Sequence, residues 1–297
     1  MPQFSCQICP FQCQVDRVNK FGVCKLPNKL LISHYQPHFW EEPMLSGQNG
    51  SGAIFFTGCN SNCVFCQNFE ISNPEYWSKK VDKFSIDEKK LMQIIIKLIE
   101  KKVHNINFVT PTPYSEILIE FLKENKKNIT VPIVWNSNAY EKVETLKKLK
   151  GLIDIYLPDL KYIDNYTSLR YSKLPDYFKY ASSAIQEMFE QVGFPQINEQ
   201  GIMQKGLIIR HLVLPNHIEE SKKILNWIHE AFGSKSYISL MSQYYPTFKS
   251  SNFPEINRSL TKEEHEEITD YFLSLDFSDG LIQDPTSSDS KYTPQWE

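Results

Sequence analysis

Three cysteines, Cys59, Cys63 and Cys66, stand at CxxxCxxC spacing within Gly58-Cys59-Asn60-Ser61-Asn62-Cys63-Val64-Phe65-Cys66-Gln67-Asn68, directly after the apolar run Ala53-Ile54-Phe55-Phe56. Thiolates hold iron-sulfur clusters, and a [4Fe-4S] cube has four irons, so three protein ligands leave one iron open to an outside ligand. Reactive metal sites keep such a position open, whereas structural sites close it. Gly58 and the polar Asn60-Ser61-Asn62 suit a chain that bends round a bulky inorganic core, with Phe65 placed to shield it. A trio of small buried hydrophobes, or part of a zinc knuckle completed elsewhere, are the competing readings of this spacing.

A second group, Cys6-x2-Cys9-Pro10-x2-Cys13, is completed by Cys24 in Phe21-Gly22-Val23-Cys24. Four thiolates suffice for a closed tetrahedral site, and a segment this short cannot bury a core, so a metal would supply its folding energy. Zinc and a second iron-sulfur cluster fit Cys6, Cys9, Cys13 and Cys24 equally. The chain's 7 cysteines all precede residue 67. An odd count split four and three fits ligand usage better than a disulfide framework. His34 and His38 follow, and are read as surface or packing residues ahead of metal ligands.

The elements that must position these groups show in the periodicity. From Gly52 onward, short β-branched or aromatic runs alternate with amphipathic helical patterns, which signals βα units around a parallel sheet. Six strands are expected, at Ala53 to Thr57, Ile106 to Thr110, Pro132 to Asn136, Ile153 to Leu157, Leu207 to Val213 and Tyr237 to Met241. The clearest helix begins at a capping box, Ser85-x-x-Glu88, and places Leu91, Ile94, Ile95 and Leu98 on one face. Further helices are expected at 115–124, 141–149, 177–192, 218–231 and 262–275. Right-handed crossovers would curl six such units into a partial barrel with the cysteine loop at the carboxyl end of its first strand. The predicted organisation is a cysteine-rich module and linker over 1–46, an α/β domain over 47–275 and a tail over 276–297. Residues 25–50 carry few regular signals. The Ser-, Asp- and Pro-rich end reads as loose, although Tyr292 and Trp296 would be odd residues to leave in water.

Ligands of such folds bind at the carboxyl ends of strands. Those ends carry Thr110 and Thr112, then Asn136 and Asn138, then Asp159 and Lys161, and finally Arg210 on a strand face shared with Ile208 and Leu212. The hydroxyls and amides can hydrogen-bond a sugar or a carboxylate. An arginine inside a barrel needs an anion to offset its desolvation. His211, on the opposite face with Ile209 and Val213, reads as a core histidine, and Gln243-Tyr244-Tyr245-Pro246 as aromatic packing or a ligand wall.

Among 297 residues, 32 Lys plus Arg against 35 Asp plus Glu give a net charge of -3, which argues against a nucleic-acid partner. No run approaches the ~20 apolar residues of a membrane span, and the start Met1-Pro2-Gln3-Phe4 has no leader pattern, so a cytoplasmic protein without a membrane partner is expected.

The cysteine loop resembles the signature of radical S-adenosylmethionine (SAM) enzymes. Gly50-Ser51-Gly52, Cys66-Gln67-Asn68, Leu157-Pro158-Asp159-Leu160-Lys161 and Arg210-His211-Leu212-Val213-Leu214-Pro215 narrow the likeness to relatives of the pyruvate formate-lyase activating enzyme, from about residue 5 to about 275. Cys13-Gln14-Val15-Asp16-Arg17 is similar to an extra cysteine module of some relatives, and Glu41-Glu42-Pro43 with Ser46-Gly47 to their linker. The resemblance implies a partial (βα)6 TIM-like barrel, a [4Fe-4S] cluster on Cys59, Cys63 and Cys66, and SAM on its open iron. It places Asn136 and Asn138 at the nucleoside, Asp159 and Lys161 near SAM, and the SAM carboxylate on Arg210. The family's Gly-Gly-Glu segment is absent after the second strand, and Thr110 and Thr112 would take over its contact. The implied reaction is reductive cleavage of SAM to a 5′-deoxyadenosyl radical. It would be fed by a flavodoxin- or ferredoxin-type donor and spent on a glycine of a partner glycyl-radical enzyme. Radical chemistry on a small molecule, protein side chain or RNA, or a non-catalytic electron-transfer protein, are the other readings.

Overall fold

The structure is a computed structural model that describes residues 5–284 together with Thr286 and Ser288, so the expectations for Tyr292 and Trp296 lie outside the described residues. Among the described residues ten strands build one sheet: β1 (Leu30–His38), β2 (Ser51–Phe56), β3 (Ser85–Ile86), β4 (Ile106–Val109), β5 (Ile133–Ser137), β6 (Ile155–Pro158), β7 (Gln196–Ile197), β8 (Met203–Leu212), β9 (Tyr237–Met241) and β10 (Gly280–Ile282). Their order is β10-β9-β8-β6-β5-β4-β2-β1-β3, with β7 paired to β8. From β2 to β10 along this path the neighbours are parallel, while β1 runs antiparallel to both β2 and β3. The result is an α/β fold with a partial TIM-like barrel, and all six expected strands are among the ten.

Strand period two sorts the side chains into two layers. Ile54, Phe56, Ile106, Phe108, Ile133, Trp135, Tyr156, Ile209, Ile238 and Leu240 face outward into the core shared with the helices. The helix Glu88–Glu100 buries Leu91, Ile94, Ile95 and Leu98 there, as its periodicity requires. Each such side chain contributes about 1.5–3 kcal/mol on burial. Helices Ser115–Asn125, Val143–Lys147, Tyr177–Val192, Ile218–Phe232 and Lys262–Ser274 follow the predicted pattern. Facing inward, Val134, Ile155, Leu157, Ile208 and Tyr237 enclose Met44 and Leu45, which the short helix Pro43–Ser46 inserts as a plug.

Two expectations are corrected, and parts of the expected linker and tail join the sheet. The helix starts at Asp87, whose side chain accepts from Lys90 N at 2.7 Å, and Ser85 instead pairs with Leu31 in β3. The featureless 25–50 stretch contains β1, whose first three residues are buried and last six only partly buried, so it lacks a clean alternation. The linker part of the 1–46 segment carries β1, which pairs with β2, and leads into the plug. The start of the expected tail is tied down as β10, parallel to β9. The sequence pattern also missed the helix Asn165–Ser172, which Asp164 caps by accepting from Tyr166 N and Thr167 N.

The cysteine module is a knuckle closed by Cys6 N to Val15 O and Gln14 N to Cys6 O, at 2.8 and 3.0 Å. It docks on the barrel through Arg17, which is 4% exposed. Its guanidinium donates to the carbonyls of Leu26, Pro27 and Pro113 at 3.3, 2.9 and 2.6 Å. Three carbonyls left without donors cost more than the lost bonds themselves. Arg17→Met is therefore expected to cost about 2 kcal/mol and to speed hydrogen exchange across residues 5–29, while amides of β2 to β9 stay protected. Unchanged exchange in the module would show that other contacts dock it.

Candidate functional site

The carboxyl ends of the strands open into one cavity of about 720 Å³. Cys59, Cys63, Cys66, Thr110, Asn136, Asn138, Asp159, Lys161 and Arg210 all line it. Thr112 does not. It is buried, and its hydroxyl donates to Glu141 Oε1 at 2.9 Å, alongside Trp135 Nε1 at 3.0 Å. Thr112 thus braces the turn after β5 from behind. Thr110 lines the cavity with φ at 60°, a left-handed conformation that β-branched residues adopt only under strong local constraint.

The cysteine loop is fixed by bonds to elements far off in sequence. Gly58, at φ 78°, turns the chain out of β2 and donates its N–H to Ile71 O at 2.7 Å. Asn62 N and Val64 N donate to Ser172 O and Tyr171 O at 3.1 and 2.8 Å, and Lys249 N donates to Val64 O at 2.9 Å. Phe65 is buried against Tyr244, ring centroids 5.6 Å apart, so Tyr244 serves packing while Gln243 reaches the cavity.

All seven cysteines are free thiols. Donors surround the three in the cavity. Ser61 N lies 3.3 Å from Cys59 Sγ, Ser61 Oγ 2.9 Å and Ser172 Oγ 3.0 Å from Cys63 Sγ, and Ser72 Oγ 3.2 Å from Cys66 Sγ. Asn138 Nδ2 reaches Cys59 Sγ at 3.6 Å. Burial, reinforced by Cys63, pushes Cys59 well up and Cys66 up to about 11. Thiols so placed become thiolates when a cation compensates them, and the ring of donors suits sulfurs that carry negative charge. This donor set fits a polynuclear cluster. Among the described residues no three His, Cys, Asp or Glu side chains stand in the geometry of a single-ion site.

Arg210, expected to need an anion inside the barrel, has two within the chain, Asp159 and Glu41. Nε donates to Asp159 Oδ1 at 2.8 Å, Nη1 to Glu41 Oε2 at 3.2 Å and Nη2 to Asn136 Oδ1 at 2.6 Å. Lys161 Nζ donates to the other Asp159 oxygen at 2.7 Å. Glu41 also accepts from Asn107 and Asn136, at 3.0 and 3.3 Å. Burial raises both Glu41 and Glu42, Arg210 offsetting only part of it. Burial also pushes Asp159 up, but Arg210 and Lys161 outweigh it and hold that carboxyl below 3.8. Glu41 and Glu42, which line the cavity directly before the plug, were legible only as linker residues.

His38 lines the cavity, and His34 lies within hydrogen-bond reach of Gln36 on β1 at 3.1 Å. His211 is a core residue: Nδ1 donates to Leu160 O at 2.7 Å, Nε2 lies 2.8 Å from Ser221 Oγ, and burial lowers it to about 4. Cys6, Cys9, Cys13 and Cys24 surround a separate small pocket that also touches Arg17, Pro113 and Asn60, the neighbour of Cys59. Burial raises Cys9 to about 12 and raises Cys24, and the other thiols of the group add to both.

A partial parallel barrel that presents three half-buried, donor-ringed thiols to a large polar cavity defines a cluster-dependent α/β enzyme class. The family model of the Radical SAM superfamily matches residues 53–228, and the chain belongs to that superfamily. It is 36% identical over 266 residues to the uncharacterized protein MJ0674 of Methanocaldococcus jannaschii, covering 88% of this chain and 72% of that one. Among solved structures it is similar to Streptococcus suis SuiB bound to its precursor peptide SuiA, with TM-score 0.51 and 14% identity over 77% of this chain and 47% of SuiB. SuiB bound to S-adenosylmethionine gives TM-score 0.51 and 15% identity, with 77% and 48% covered. The chain spans about half the length of SuiB, and the likeness is one of fold.

Arg210→Met would leave Asp159 and Glu41 without their shared cation, at an expected cost of about 3–5 kcal/mol at neutral pH. Because the folded-state value of Asp159 is depressed, its pairing stabilises above the unfolded value of 3.8 and is lost as pH falls through the depressed value. The stability gap between wild type and variant should therefore be full at pH 7 and narrow below about pH 4. Urea unfolding at both pH values measures it, and a gap that does not narrow on acidification would refute the pairing as its source.

Proposed function

We propose that this radical SAM enzyme cleaves SAM reductively in the 720 Å³ cavity and spends the radical on a glycine of a partner glycyl-radical enzyme. The observation that carries the cleavage is the convergence of Cys59, Cys63 and Cys66 with Lys161, Asp159, Asn138 and Thr110 on that one cavity. Cys59, Cys63 and Cys66 would hold a [4Fe-4S] cluster, which when bound would supply the electron for reductive cleavage of the SAM sulfonium bond. The chain's part is to hold and screen. Lys161, kept protonated by Asp159 and Cys63 against its burial, offers a cation to the SAM carboxylate. Asn138 and Thr110 offer polar groups to the nucleoside and amino ends. Phe65 and the apolar plug keep water from the reacting centre.

The glycine acceptor is supported by the Asp159-Leu160-Lys161 stretch and its resemblance to the activating enzymes, and by a cavity whose rim exposes Phe39 and Trp40, at 52% and 62%. A second reading gives the radical another substrate, a peptide, small molecule or RNA. It is favoured by Thr110-Pro111-Thr112-Pro113 where the activating enzymes have Gly-Gly-Glu, and by the likeness to a structure that holds a precursor peptide. The amino-terminal thiols are read as a structural metal site, of zinc or a second cluster, because four ligands close a coordination shell. A flavodoxin- or ferredoxin-type protein would supply electrons.

After anaerobic reconstitution with iron and sulfide, wild type should release methionine and 5′-deoxyadenosine under dithionite, and Cys59→Ala, Cys63→Ala or Cys66→Ala should reduce release to background. Cleavage retained in Cys63→Ala would sink the assignment. Cys6→Ala should keep cleavage while losing the module's metal and some thermal stability; loss of cleavage at full loading of the other cluster would make the module an electron relay. A glycyl-radical doublet raised in a candidate partner enzyme separates the first acceptor from the second.

A further inference from the structure

Ser172 lies 109 residues from Cys63 in sequence, yet its hydroxyl donates to Cys63 Sγ at 3.0 Å. The residue is fully buried, at 0% exposure. Its oxygen also lies 2.6 Å from the Tyr162 hydroxyl. A serine has one proton to give, so with that proton on Cys63 the Tyr162 O–H must donate to Ser172, forming a relay of Tyr162 to Ser172 to Cys63. Tyr162 is itself buried, at 1% exposure. Chained hydrogen bonds polarise one another, and in a site closed to water each is stronger than at a surface.

The backbone repeats the message. The helix Asn165–Ser172 ends with its Tyr171 and Ser172 carbonyls accepting from Val64 N and Asn62 N of the cysteine loop. Terminal carbonyls of a helix otherwise lack partners, so the loop amides satisfy the helix while the helix fixes the loop. Of the donors around the three sulfurs, Ser61 and Ser72 are local and Asn138 lies farther, at 3.6 Å. Ser172 is the fully buried hydroxyl brought in by a separate element and backed by a second one.

Resting on the reading of Cys59, Cys63 and Cys66 as cluster ligands, we propose that Ser172 is a tuning residue: its hydroxyl, oriented by Tyr162, donates to Cys63 Sγ and raises the reduction potential of the cluster held there. The direction follows from charge. Reduction adds an electron that spreads onto the sulfurs, and a donor aimed at a ligand sulfur stabilises the more negative state. Without the donor, reduction is harder.

The test is the midpoint potential of the reconstituted protein, followed by the EPR signal of the reduced cluster, beside its iron and sulfide content. Ser172→Ala at full loading should titrate at a more negative potential than wild type. Tyr162→Phe should shift in the same direction by less, and Ser172→Thr, which keeps the hydroxyl, should stay near wild type. Equal potentials for wild type and Ser172→Ala at equal iron content would overturn the proposal while leaving the cluster reading intact. If Ser172→Ala fails to load, Ser172→Thr decides, since loading and potential should return with the hydroxyl; their failure to return would make the position a matter of shape. A wild type that takes up no cluster overturns the underlying reading and the tuning with it.

Discussion

The structure depends on one constraint, that a thiolate cannot sit in a poorly hydrated cavity without compensation. Burial pushes Cys59 and Cys66 up as thiols, so the arrangement is stable as an ion set only with a cation among the sulfurs. Everything round the loop serves that state. Ser61, Ser72, Ser172 and Asn138 point donors at sulfur, and the amides of Asn62 and Val64 are tied away to the helix end. The barrel contributes rigidity. A loop on the end of a paired parallel strand, held at four backbone points by other elements, cannot relax to shed its burden.

The same logic organises the floor of the cavity. Glu41, Glu42 and Asp159 stand against Arg210 and Lys161, three carboxylates facing two cations. Asp159 holds both cations and stays ionised, while Glu41 is shared between Arg210 and two asparagines. One Glu42 oxygen has no hydrogen-bond partner among the described residues, and burial raises that carboxyl. Burial raises Glu41 as well, so both carboxyls are pushed toward their neutral forms, the direction in which a net negative interior is relieved.

How much of this the sequence displayed follows from the range of the interactions. The six inner strands and the six expected helices rest on period-two or period-3.6 patterns within a dozen residues, so Leu91, Ile94, Ile95 and Leu98 announced their face and Ile208, Arg210 and Leu212 announced theirs. The cysteine loop, Thr110, Asn136, Asn138, Asp159 and Lys161 were legible because the fold puts strand ends in one place. Thr112 failed because a Pro-flanked threonine gives no sign of which way its turn faces, and its partner Glu141 lies across the next strand. Ser85 failed as a cap because Asp87, two residues on, offered a carboxylate to the same helix start. The places of Glu41, Glu42 and Ser172 around the cavity were invisible for a common reason. Each matters through a contact more than 100 residues away, as between Glu41 and Arg210 or Ser172 and Cys63, and no local pattern encodes such a pair.

Incomplete closure of the barrel ties these observations together. Among the described residues the sheet ends at β3 on one side and β10 on the other, and the cavity is lined there by Phe39 and Trp40 after β1 and by Leu281 and Gln283 at β10. A closed eight-stranded barrel fills its interior with side chains. Opening the ring leaves room at the upper level, and the Met44–Leu45 plug fills the lower level that would otherwise be void. The plug's entry chain is what carries Glu41 and Glu42 under the cavity, so the apolar seal and the acidic floor are consequences of one segment. Reactive chemistry needs a dry floor and a substrate needs a way in, and the partial barrel separates the two along its axis.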